Sequence, residues 1–235
     1  STPMVENLNM DFSERVVIET AELDWVPTRM QGVERRMLER EKPESGRATS
    51  VVRYAPDSYF SPHTHGGSEG GGEEFVVLEG VFSDEHGDYG PGYYVRNPPG
   101  SSHKPFSAEG CTILVKLWQM EPKDDNTVRI DTNFADWLPG QVEGLTVLSL
   151  YDRDPEHVAL VRWQPGTKFQ HHVHPGGEEI FVLEGTFEDE QGKYPEGSWL
   201  RNPPYSEHTP FSSEGCLIWV KIGHLAVQDN KVPGT

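Results

Sequence analysis

The sequence predicts an all-β protein made of two tandem domains, each a small closed barrel. Its apolar segments are short, alternate with polar residues and are bounded by turns, and glycine and proline are frequent, at 24 and 19 of 235 residues. That pattern is the signature of many short strands. The chain also repeats itself nearly end to end, and neither copy contains a long amphipathic helical period.

The repeat is clearest late in each copy. NPPGSSHKPFSAEGC at 97–111 matches NPPYSEHTPFSSEGC at 202–216 with a constant offset of 105, from His103 to His208 and from Cys111 to Cys216. Upstream, LDWVP at 23–27 returns as ADWLP at 135–139, where the offset is 112. The first copy is longer because it carries extra residues near KPESG (42–46) and in the glycine-rich stretch GGSEGGG (66–72). A repeat of about 110 residues can close its own barrel, whereas a solenoid unit of roughly 20 to 50 cannot. The boundary is expected in the polar segment EPKDDNT (121–127), giving domains 1–122 and 123–235. ERRMLEREK (34–42) is helix-like by composition, but it aligns with LTVLSLYDR (145–153), so strand is expected in both copies.

Bulk properties exclude some partners. A formal charge of −18 would repel a phosphate backbone or an anionic membrane, so nucleic acid is not expected. No run of 18 apolar residues occurs and the first residues do not read as a signal peptide, so a soluble cytoplasmic protein is expected. With only Cys111 and Cys216, a disulfide framework is not expected.

The chemistry concentrates in HHVHPGGEEIFVLEG (171–185). In a strand, residues i and i+2 share a face, so His172 and His174 point together while His171 and Val173 point away. The Pro175-Gly176-Gly177 turn can return Glu178 opposite them, and His208 follows thirty positions after Glu178. Three imidazoles and a carboxylate suit a divalent transition metal, with zinc or iron foremost and manganese, nickel or copper compatible. The first copy offers His63, His65, Glu73 and His103, with the same thirty positions from Glu73 to His103. There seven residues rather than three separate His65 from the glutamate, so Glu69 competes with Glu73.

These residues resemble the two cupin motifs, G-x5-H-x-H-x3,4-E-x6-G and G-x5-P-x-G-x2-H-x3-N. Gly166, His172, His174, Glu178 and Gly185 fit the first at every spacing. Gly197, Pro203 and His208 fit the second, with Tyr205 in the glycine place and Ser212 in the asparagine place. In the first copy Gly92, Pro98, Gly100 and His103 fit, Ser107 replaces the asparagine, and Asp57 or Ser58 stands where the leading glycine belongs. The chain thus resembles a bicupin, two double-stranded β-helix (jelly-roll) barrels in tandem. The wording HxH…GGEEFVVLEG followed by YxRNPPGSSHxPFSxEGC is similar to the cupin domain of the anti-sigma factor ChrR and its stand-alone relatives. That resemblance implies zinc at both quartets. The sigma-binding module of ChrR proteins has a His-x3-Cys-x2-Cys site, and no Cys-x2-Cys occurs here, so an anti-sigma role is not expected.

Other residues read as structural. His86, His157, His171 and His224 lie outside the quartets. Glu74 and Glu179 are expected on the outer surface, Tyr94 and Trp199 in packing, and Cys111 and Cys216 as core thiols, with a redox role as the alternative. Arg96 and Arg201 either brace Glu79 and Glu184 or hold an anionic substrate. Two classes of function stand open: a metal-dependent oxygenase acting on a small dicarbonyl-type molecule, or a metal-binding sensor or regulatory cupin, with a purely structural bicupin as a third. Edge strands and the apolar outward face of EEFVVLEG are compatible with a homodimer.

Overall fold

A computed structural model describes residues 4–225. It is all-β: among the described residues the helical segments are two short 3-10 turns, Thr20–Glu22 and Thr132–Phe134. No helix is long and apolar enough to cross a membrane. The sequence at 34–42 that composition alone makes helix-like forms the strand Val33–Arg40, as its repeat partner Leu145–Arg153 does.

The chain forms two compact units, each with its own apolar core. In the first, the main sheet runs Val128–Asp131, Tyr93–Asn97, Gly70–Gly80, Cys111–Met120, Ala48–Tyr54, Val33–Arg40, Val26–Pro27. A smaller sheet of Gly87–Tyr89, Phe82–Asp84, Phe106–Ser107 and Ser58–Tyr59 closes over it, and Phe82 and Tyr89 pack on Phe75, Val77 and Ile113 between the layers. The second unit repeats the order with Val16–Glu19, Ser198–Asn202, Glu178–Asp189, Cys216–Ile222, Glu156–Trp163, Leu145–Arg153, Leu138–Pro139. Its core gathers Trp163, Ile180, Val182, Phe187 and Leu200.

The compact units differ from the repeats by an exchange of outer strands. Val16–Glu19 belongs to the second unit, pairing Val16 with Arg201, and Val128–Asp131 belongs to the first, pairing Val128 with Arg96. A boundary at 121–127 therefore separates the repeats but not the compact units, which among the described residues comprise 4–10 with Leu23–Ala135, and Asp11–Glu22 with 136–225. The physical reason is edge satisfaction: Tyr93–Asn97 and Ser198–Asn202 would otherwise present unpaired backbone donors and acceptors.

Two expectations about faces need correction. Glu74 and Glu179 are not on the outer surface but are 3% and 0% exposed. Arg96 donates to Glu74 (3.0 Å) and to Asp124 (2.7 Å), the Tyr94 hydroxyl also bonds Glu74, and Trp199 Nε1 and His224 Nε2 each lie 3.0 Å from Glu179. Arg96 therefore braces Glu74 rather than Glu79, and Glu184 pairs with Arg162. The sheet is covered on both faces here, and alternation that would put a residue in water instead buries it. For the same reason EEFVVLEG offers no free apolar face for a dimer, since Glu73 through Val77 are all buried.

Candidate metal centres

In the second unit, the short strand His172–His174 pairs with Ser206–His208, which sets His172 directly opposite His208. Glu178 opens the long strand that follows the turn, and Gly177 at φ +76° makes the return. The result is a tight set: His172 Nε2 to His174 Nε2 2.8 Å, His174 Nε2 to His208 Nε2 3.2 Å, and Glu178 oxygens 2.9 Å from His174 and 3.3 Å from His208. In the first unit His63 pairs with His103 across equivalent strands. His65 and His103 Nε2 are 2.9 Å apart, and Glu73 lies 3.5 Å from each. In both quartets one donor atom per residue falls within 4.8 Å of every other.

The glutamate ambiguity ends in geometry. Glu73 is in the cluster and buried, while Glu69 is exposed outside it. The inserted glycines explain how. Gly66–Gly67 pairs with the start of Gly70–Gly80, and Gly66, Gly70, Gly71 and Gly72 all take positive φ. A side chain at Gly66 would meet the Gly70 carbonyl oxygen at 2.0 Å, so only glycine lets the insertion fold back as a hairpin and return Glu73 to the site. The motif glycines that are replaced keep their backbone shape: Asp57 at φ +60° stands for Gly166 at +82°, and Tyr205 at +65° for Gly100 at +86°.

The second ring nitrogens fix the tautomers. His172 Nδ1–H donates to the Gln170 carbonyl (3.0 Å) and His63 Nδ1–H to the Ser61 carbonyl (2.8 Å). His208 Nδ1–H donates to Asp189 (3.2 Å) and His103 Nδ1–H to Asp84 (3.1 Å). A carbonyl or carboxylate can only accept, so each neutral ring turns a bare Nε2 lone pair inward. Three inward nitrogens and a carboxylate at these separations cannot all be satisfied by one imidazole proton. A divalent cation at their centre would satisfy them, and the N₃O donor set is one that transition metals accept. Asp84 and Asp189 are the residues that sequence reasoning missed. They recur at the same offset of 105 in SDEHGDY and EDEQGKY, and that recurrence was the available signal. Asn97 and Asn202 were missed likewise; their side-chain amides donate to Glu73 (3.1 Å) and Glu178 (3.3 Å).

Electrostatics agree with this arrangement. Burial alone would raise the Glu73 and Glu178 carboxyls, but the neighbouring histidines outweigh it and hold both below the usual value. Burial lowers His65 and His172, favouring the neutral form. For His103 and His208 burial acts the same way, but the hydrogen bonds to Asp84 and Asp189 and the nearby glutamates prevail and raise them. Cys111 and Cys216 are buried and free, and burial pushes each thiol up to about 11, which speaks against thiolate chemistry. The remaining histidines stay outside the clusters: His171 bonds Thr209, His157 bonds Asp152, and His86 lies beside Glu85.

Comparison with known proteins follows the same lines. The chain is similar in structure to a candidate dioxygenase from Nostoc punctiforme, with 16% identity over 89% of this chain and 82% of that one and a TM-score of 0.74. YlbA from E. coli aligns with 14% identity over 91% and 93% and a TM-score of 0.70. The oxalate decarboxylase of Lactobacillus farciminis, solved as a formate complex, aligns with 15% identity over 88% and 86% and a TM-score of 0.64. At these identities the likeness concerns the fold. No curated protein matches the sequence significantly. The family model for the ChrR cupin-like domain matches residues 13–121 and again 125–226, so the chain belongs to that family, with one cupin domain in each half.

Proposed function

We propose that the protein is a metal-dependent enzyme acting on a small oxygen-rich molecule, most simply an oxygenase of dicarbonyl-type substrates. The observation that carries this reading is the doubled quartet of three inward Nε2 atoms and one buried carboxylate. His172, His174, His208 and Glu178 would hold one divalent transition metal, and His63, His65, His103 and Glu73 a second. When bound, such an ion polarises substrate oxygens as a Lewis acid and, as iron(II), opens a route to dioxygen chemistry. The protein's own contribution is to orient the rings through Asp84, Asp189 and the Ser61 and Gln170 carbonyls. Glu178, ionised by its histidine neighbours, either completes the donor set or takes a substrate proton. In the first unit, a cavity of about 270 Å³ lined by His63, His65 and Glu73 gives a small molecule room beside the quartet.

The test is metal content together with turnover in protein purified without added metal. Iron with dioxygen uptake on addition of a diketone supports the reading. Stoichiometric zinc with no turnover across a panel of dicarbonyl compounds removes it. That second outcome favours a metal-binding regulatory module, a reading supported by membership of the ChrR cupin-like family.

A further inference from the structure

The N-terminal cavity is lined by three arginines that the metal centre does not use: Arg29, which lies over the Phe60 ring, and the buried pair Arg35 and Arg40. Arg35 and Arg40 lie on the strand Val33–Arg40 and line the same cavity as His63, His65 and Glu73. Alternation alone would place residues five apart on opposite faces. A register shift between Met37 and Glu39 inserts one extra residue and returns Arg40 to the inner face. Both are buried, at 7% and 4% exposure.

Their charges are incompletely matched. Arg35 is held by Glu44, with contacts of 2.7 and 3.3 Å. Arg40 donates through Nη1 to the Lys42 and Pro43 carbonyls, at 3.5 and 3.0 Å, and has no carboxylate of its own among the described residues. The Nε of each arginine is buried without a hydrogen-bond partner. Burial, then the charge of Arg35, pushes Arg40 down to about 10, which leaves it charged at neutral pH. Arg35 and Arg40 thus share Glu44 at one end of a cavity whose other end holds Glu73 and the histidines, with Val52, Phe60, Ile113 and Leu117 among the side chains between.

The arrangement belongs to the first repeat alone. Arg35 pairs with Val52 and Arg40 with Ala48, and the equivalent partners in the second repeat are Val147 with Val161 and Asp152 with His157. Asp152 is bonded to Ser149 and His157 near the surface. Glu44 and the two carbonyls that hold Arg40 come from KPESG, the segment by which the first copy is longer. The insertion therefore builds a cationic end onto the N-terminal cavity.

We propose that Arg40, supported by Arg35, is the subsite for the carboxylate of a small organic acid whose apolar body lies in the N-terminal cavity and whose far end reaches the histidine quartet. This rests on the small-molecule reading above and names its substrate class as an acid. Guanidinium recognises a carboxylate through paired N–H donors, and desolvation makes the pairing selective against neutral analogues. A cavity of about 270 Å³ is at the small end for ligand sites, which suits a short acid.

The experiment is calorimetric titration of the full-length protein as purified with hexanoate, hexanamide and sulfate, with fluorescence of the cavity-lining Trp118 as a second signal. Hexanoate should bind about tenfold or more tightly than hexanamide, and R40M should lose about the same factor. R40K should recover part of the loss. Because R40M can perturb folding, E44Q serves as an opposite-signed probe: freeing Arg35 should strengthen hexanoate binding. Equal affinity for acid and amide, sulfate binding as tightly as hexanoate, or R40M and E44Q both without effect would each overturn the proposal. These readouts need no turnover. Arginine-dependent hexanoate binding in an inactive zinc protein would sink the oxygenase and leave the subsite, while diketone turnover with indifferent arginines would do the reverse.

Discussion

The Asp189 carboxylate lies 3.2 Å from Nδ1 of His208, the ring nitrogen opposite the one that enters the cluster, and Asp84 stands at 3.1 Å from Nδ1 of His103 in the same way. One buried carboxylate thus sets the tautomer and the basicity of one ring in each quartet. Such outer partners commonly matter as much as the ligands they orient.

Asp189→Asn should therefore act in a pH-dependent manner. In the metal-free protein His208 is raised above 6.5, so its stabilising contribution is full below that value and is lost as pH rises through the folded value. Asp189 is held below 3.8, so its share is full above 3.8 and is lost only as pH falls through the lowered value. The charged pair stabilises between those limits. The substitution should cost about 1.5–3 kcal/mol at pH ~5.5 and less, about 0.5–1.5 kcal/mol, at pH ~9, where less of the imidazole is charged. Urea unfolding of chelator-treated protein at the two pH values checks this. In the metal-loaded protein the same change should weaken metal binding roughly 10- to 100-fold at one site.

The two centres should empty independently. His174→Ala should remove one metal equivalent and leave the other, and His65→Ala should do the converse, as read by elemental analysis of each purified variant. Unchanged total metal in either variant would mean that its ligand assignment is wrong.

Arg96 should be structurally indispensable in a direction-dependent way. It is fully buried between Glu74 and Asp124, so Arg96→Met removes a cation that two buried carboxylates share. The expected cost is about 3–5 kcal/mol, visible as a lowered denaturation midpoint. Arg53→Met breaks the exposed pair with Glu34 and should cost no more than about 1 kcal/mol.

The cysteines should be inert in the folded state. With thiols pushed up to about 11 and side chains buried, Cys111 and Cys216 should resist a disulfide reagent until the protein is unfolded. Cys111→Ala and Cys216→Ala should leave metal content unchanged. Rapid labelling of the native protein would restore a redox role.

Much of the molecule is legible in its sequence. Recurrence at a fixed offset exposes two homologous domains, and the spacing of His172, His174, Glu178 and His208 identifies a cluster because strand alternation and a short turn are local geometry. His63, His65 and His103 could be named through the repeat, which matches each to a histidine of the second copy. The choice of Glu73 over Glu69 needed the backbone, since it depends on a glycine hairpin whose closure spacing alone does not reveal. Three further features are set only by tertiary structure. The exchange of Val16–Glu19 and Val128–Asp131 answers to whichever sheet edge lacks a partner. The burial of Glu74 and Glu179 depends on what covers the second face of the sheet, and alternation along a strand carries no information about that. The meeting of Arg35 and Arg40 with the N-terminal quartet depends on a bulge and an inserted loop, which bring distant residues to one cavity by closing the barrel. Local periodicity is written in the chain, whereas the pairing of edges and the filling of cavities are decided by packing across it.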